Sequence, residues 1–74
     1  MLHLDMEIKI TGAKHAPSWE ALQTVIRTSL ADDTGRITRI NRRDGGCSYR
    51  DKGTYDLTYI PEVGDAIQIV LIVE

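Results

Sequence analysis

The residues of this chain best suited to chemistry are its arginines. Between Arg36 and Lys52 stand six cations (Arg36, Arg39, Arg42, Arg43, Arg50 and Lys52) against two acids, Asp44 and Asp51. The rest of the 74-residue chain carries three cations and nine acids, so a segment of +4 is set in a remainder of −6, for a net charge of −2. Guanidinium forks match the oxygens of phosphates and carboxylates. A segregated cationic segment is therefore a receiving surface for an anionic partner, either a nucleic-acid backbone or an acidic protein surface. The competing arrangement is a solvated hairpin whose arginines pair with Asp44, Asp51 and Asp56, and exposed pairs of that kind contribute little. The pI of 5.6 weighs against nucleic acid, whose binding domains are usually basic.

The remaining reactive residue types form no catalytic or metal pattern. Cys47 and His15 have no strand-to-helix elbow around the thiol and no assignable third group, so Cys47 reads as a structural cysteine. His3, His15 and Cys47 do not stand at zinc-like spacings. Asp32 and Asp33 lack the alternating oxygen ligands of a calcium loop and read as a helix-ending turn. The run from Gly12 to Ser18 has neither the glycines nor the lysine placement of a phosphate-cradling loop. No catalytic residue, metal or cofactor is expected. Bases of a single strand would need exposed aromatics to stack on. Tyr55 and Tyr59 share parity with Leu57, which turns them toward the core.

The elements that would position the arginines follow from periodicity. Leu2, Leu4, Met6, Ile8 and Ile10 alternate with polar residues, which predicts a half-buried strand. Gly12–Ser18 is a loop. Ser18 is the expected N-cap of an amphipathic helix ending near Ala31, with Trp19, Leu22, Val25, Ile26 and Leu30 on its apolar face. Ile37 and Ile40 lie three apart, which fits a helix face as well as a strand. The β-branched Ile37, Thr38 and Ile40 favour a strand over Arg36–Arg43, either regular or with a bulge that would keep the two isoleucines on one face. Asp44-Gly45 signals a hairpin, Gly46–Arg50 a short return strand, and Thr54–Ile60 a further strand by its alternation. After the turn Pro61–Asp65, Ala66–Val73 is apolar on both faces, which predicts a central strand. The fold class is α+β in two layers, one amphipathic helix packed on a mostly antiparallel sheet of four to five strands in the order β-α-β-β-β-β. Its core should hold Leu4, Met6, Ile8, Ile10, Leu22, Val25, Ile26 and alternate residues of the last strand. One helix covers one sheet face, so Val70 and Ile72 on the other face should meet a partner, a second copy in a homodimer, or long neighbouring side chains.

Length allows a single domain, and a chain of 74 residues buries only about 60–65% of its unfolded surface. The lone Cys47 cannot form an internal disulfide and suits a reducing cytoplasm. The N-terminus does not read as a signal peptide, and the longest apolar run, Ile69–Val73, falls far short of the roughly 20 residues of a membrane span.

The stretch Pro61-Glu62-Val63-Gly64-Asp65-Ala66-Ile67-Gln68-Ile69-Val70 resembles the closing turn and strand of sulfur-carrier proteins of the ubiquitin-like β-grasp group. The resemblance implies a similar final strand. It does not extend to carrier chemistry: the chain ends in Val73-Glu74 without a diglycine, and no second strand fits between the first strand and the helix.

Segregated charge, a spare apolar sheet face and the lack of visible chemistry together point to a small non-enzymatic interaction protein that binds and occludes a larger protein partner. In size and character it is like inhibitors carried by phages and mobile elements, anti-CRISPR proteins among them. The expected partner surface is Arg36, Arg39, Arg42, Arg43, Arg50 and Lys52, with Val70 and Ile72 as a second interface. The alternative is a nucleic-acid-binding module that uses the basic hairpin.

Overall fold

The computed structural model describes residues 5–45 and 49–74. They form β1 (Met6–Ile10), α1 (Trp19–Leu30), β2 (Arg36–Arg42), β3 (Gly53–Ile60) and β4 (Ile67–Val73). The strands build one four-stranded sheet in the order β1-β4-β3-β2, with β2–β3 and β3–β4 antiparallel and β1–β4 parallel. This is the expected α+β layering, and β4 is interior as its two apolar faces require. No strand lies between β1 and α1. Leu2, His3, Leu4 and Cys47 fall outside the described residues.

The helix is set by its ends. Ser18 Oγ accepts the Ala21 N–H at 3.1 Å, and Ala31 closes the helix in the left-handed region at φ 54, satisfying orphan donors and acceptors at both termini. Leu22 and Ile26, one turn apart, are fully buried. Val25, expected beside them, is instead 44% exposed. The reason is where α1 is anchored. Gln23 Oε1 accepts the Ile37 N–H at 3.0 Å and Arg27 Nε donates to Gly35 O at 2.6 Å. These contacts draw the helix toward β2 and turn Val25, on the opposite flank, toward the β1 side.

Of the two forms the sequence left open for β2, the strand takes the bulged one. The register runs from Ile37↔Tyr59 to Arg39↔Thr58 and Ile40↔Leu57. Thr38 is the extra residue, and the slip places both isoleucines on the helix-facing side. The expected return strand over Gly46–Arg50 is not borne out at its described end: Tyr49 and Arg50 lie in a turn, and β2 pairs directly with β3. Tyr49 instead stands edge-on to Tyr55, with ring centroids 5.0 Å apart, which draws it toward the helix side.

The core lies between α1 and the sheet face bearing Tyr55, Leu57, Tyr59, Ile69 and Leu71. The opposite face has no helix over it. There Val70 is nonetheless only 8% exposed, flanked across the strands by Glu7 and Asp56, while Ile72 is half-buried between Lys9 and Thr54. Val70 is thus covered within one chain, while Ile72 and Ile60 keep part of their surface open on this face.

Candidate interaction surface

The fold divides the basic segment into three groups. Strand alternation after the bulge sends Arg42 to the helix-facing side, opposite Tyr55. Its side chain is 17% exposed and lies 2.8 Å from Asp44 Oδ1 and 3.6 Å from Asp51 Oδ2. The close approach to Asp44 is an ion pair whose Nε–H points off the line of a hydrogen bond. Arg42 also donates to Lys52 O at 3.1 Å and stacks over the Tyr55 ring at 5.8 Å. The adjacent carboxylate of Asp44 raises its pKa. Arg42 is therefore engaged within the chain, tying Asp44, Asp51 and Lys52 to β2.

Arg43 takes the other face and grips Asp56 with both arms of its fork, at 2.6 and 3.3 Å, which raises its pKa as well. Arg36 and Arg39 also lie on this uncovered face, opposite Ile60 and Thr58. Both are exposed, and among the described residues neither side chain has an ion pair or hydrogen bond. Beside them stand exposed Asn41 and the pair Thr58–Gln68, whose side chains bond at 3.2 Å. Arg50 and Lys52 form the third group, exposed in the β2–β3 connection. The internal pairing with Asp44, Asp51 and Asp56 thus holds for Arg42 and Arg43 and fails for the other four.

Two clusters position this surface. At the start of β2, Asp32 Oδ2 accepts the Gly35 N–H at 2.9 Å and the Tyr59 hydroxyl at 2.5 Å, and Oδ1 accepts the Glu62 N–H at 3.1 Å. The Tyr59 hydrogen bond, with these backbone donors, holds the Asp32 carboxyl below its ordinary range. Burial, with the neighbouring carboxylate, pushes Tyr59 up to about 12. A Cβ on Gly35 would overlap both Asp32 Oδ2 and the Tyr59 hydroxyl, so glycine is required by space. From the sequence only a helix-ending turn is expected here. The visible signal was Asp-x-x-Gly after a helix, a side-chain-closed turn; the Tyr59 contact is 27 residues distant and had no local signal.

At the other end Trp19, Tyr49 and Tyr55 stack edge-to-face, with centroids 6.5 and 5.0 Å apart. The Tyr55 hydroxyl donates to Asp51 O at 2.5 Å. The Tyr49 hydroxyl is buried without a partner, and burial pushes its pKa up to about 12. A cleft of about 430 Å³ opens here between His15, Pro17, Trp19 and Arg50.

The described residues include no group of three or more potential metal ligands, and no helix among them is long and apolar enough to cross a membrane. No protein-family model, curated protein or solved structure matches the chain.

Proposed function

We propose that the chain is a non-enzymatic interaction module that binds and occludes an acidic surface on a larger protein, as an inhibitor or adaptor does. One observation carries this reading: Arg36 and Arg39 project from the bulged β2 onto the uncovered sheet face, with no ion-pair partner among the described residues. A strand fixes the backbone beneath these cations, so the ordering cost of binding falls on their side chains alone. Polar Asn41, Thr58 and Gln68 alongside can complete hydrogen bonds at a wet, charged interface. The nucleic-acid alternative has less support. Tyr55 and Tyr59 are buried beneath α1, and the described strand residues of the open face include no aromatic on which a base would stack.

The double variant Arg36→Glu/Arg39→Glu tests the reading. Affinity capture from the native host after nuclease treatment should retain a protein with wild type and lose it with the double variant, whose melting temperature should be unchanged. Arg43→Glu, which breaks an internal pair, should weaken capture less. The reading fails if the double variant captures as wild type does. It also fails if short oligonucleotides bind with an affinity that falls log-linearly and steeply with salt, as counterion release dictates.

A further inference from the structure

The two edges of the sheet are built differently. The β2 edge is bulged, one of its N–H groups is taken by Gln23, and its arginines would repel those of a second β2. These are devices that block strand addition. Among the described residues the β1 edge has none of them. Met6-Glu7-Ile8-Lys9-Ile10 is unbulged, without proline, and Met6, Ile8 and Ile10 are only half-buried. Val25 stands exposed on the helix flank that turns toward this side.

Backbone alternation defines what the edge offers. Glu74 N–H donates to Ile10 O at 2.8 Å, Gly12 N–H donates to Glu74 O at 3.2 Å, and ahead of the strand Asp5 N–H donates to Gln68 O at 2.9 Å. From Met6 onward the even-numbered groups face β4, so the N–H and C=O of Glu7 and Lys9 face outward, away from the sheet. An antiparallel mate centred on Ile8 would exchange hydrogen bonds through these two residues. It would set Glu7 against Lys9 of the second copy, twice, and Ile8 against its own equivalent. Met6 would meet Ile10 of the second copy on the helix-facing side. Moving the centre to Glu7 or to Lys9 puts like charges opposite each other, which is destabilising. The strand is thus self-complementary in one register. The contact of Lys9 with Glu74, 3.4 Å between side chains at least half exposed, is weak competition.

We infer that the β1 edge is a self-association surface, and that its occupant is a second copy of this chain paired antiparallel about Ile8. The result is an isologous dimer with one continuous eight-stranded sheet made from two four-stranded ones. Its two-fold axis runs through the sheet, so both helices lie on one side and both open faces on the other. Arg36 and Arg39 then sit at the two far rims.

Analytical ultracentrifugation across micromolar to millimolar concentration tests this. Wild type should move from monomer to dimer mass. Glu7→Lys and Lys9→Glu should each weaken association by about tenfold or more, because two opposite-charge pairs become like-charge pairs. Mixing the two variants restores Lys–Glu opposition on both sides and should restore the dimer. In a Cys47→Ser background, Ile8→Cys should cross-link to its equivalent under oxidation and Met6→Cys should not, which decides the matter should a charge variant fail to fold. Wild type that stays monomeric throughout overturns the inference. So do single variants that associate as wild type does, or a mixture no stronger than its components.

Discussion

At one end of β3, Tyr59 donates to Asp32, whose carboxylate also accepts the N–H groups of Gly35 and Glu62. At the other end, Tyr55 donates to Asp51 O and lies under Arg42, whose guanidinium reaches Asp44, Asp51 and Lys52 O. Both ends fasten loops to the sheet with a single charged side chain. The anionic hub is short and accepts from backbone groups that cannot swing away, in a space closed to any residue but glycine at 35. The cationic hub is long, and its carboxylate partners Asp44 and Asp51 are 62% and 74% exposed. Exposed pairs are screened and carry entropy costs. The comparison separates a rigid end, which sets where β2 and its free arginines begin, from a softer end that gathers the β2–β3 connection.

Two of the tyrosines offer the sharpest test. Tyr59→Phe removes a buried hydroxyl bonded to a charged acceptor and should cost roughly 1.5–3 kcal/mol in denaturant unfolding. Tyr49→Phe removes a buried hydroxyl that has no partner, and should be neutral or slightly stabilising, within about 0.5 kcal/mol. Similar losses in both would erase the distinction between the ends.

A smaller effect is expected at Arg42. Arg42→Lys keeps the charge and loses the fork. It should lower the melting temperature modestly and raise amide exchange selectively in the 43–52 connection, an effect that fades as salt rises. Faster exchange near Gly35 and Glu62 instead would mean that the two hubs are coupled.

The smallest expected effect is the dependence on pH. The Asp32 carboxyl is held below its ordinary value of 3.8, chiefly by the Tyr59 hydroxyl. Its contribution is therefore fully present above that value and lost as pH falls through the depressed one. Asp32→Asn should remove this part of the acid transition. Tyr59, raised from 10.0 to about 12, has the opposite sign: its contribution is present below 10.0 and is lost as pH rises toward 12. Tyrosinate absorbance that develops fully near 10.0 in the folded protein would contradict the Tyr59 environment.

What the amino-acid sequence determined by itself was local. Alternation in β1, β3 and β4, the Ser18 cap and the Leu22–Ile26 spacing specify the elements and the α+β class, because period and capping act between near neighbours. The Ile37–Ile40 spacing left β2 open between a regular and a bulged strand, and the pairing with β3 decided for the bulge. Tertiary structure decided what depends on distant partners. It placed β4 parallel beside β1, covered Val70 within the chain, and turned Val25 outward by anchoring α1 on β2. It also divided the basic segment. Arg42 and Arg43 are neighbours in sequence, yet the bulge's parity sends one to Asp44 and the other to Asp56 and leaves Arg36 and Arg39 unpaired. Charge count along a chain is a sequence property, whereas which charges remain free depends on the carboxylates that the fold brings within a few ångströms.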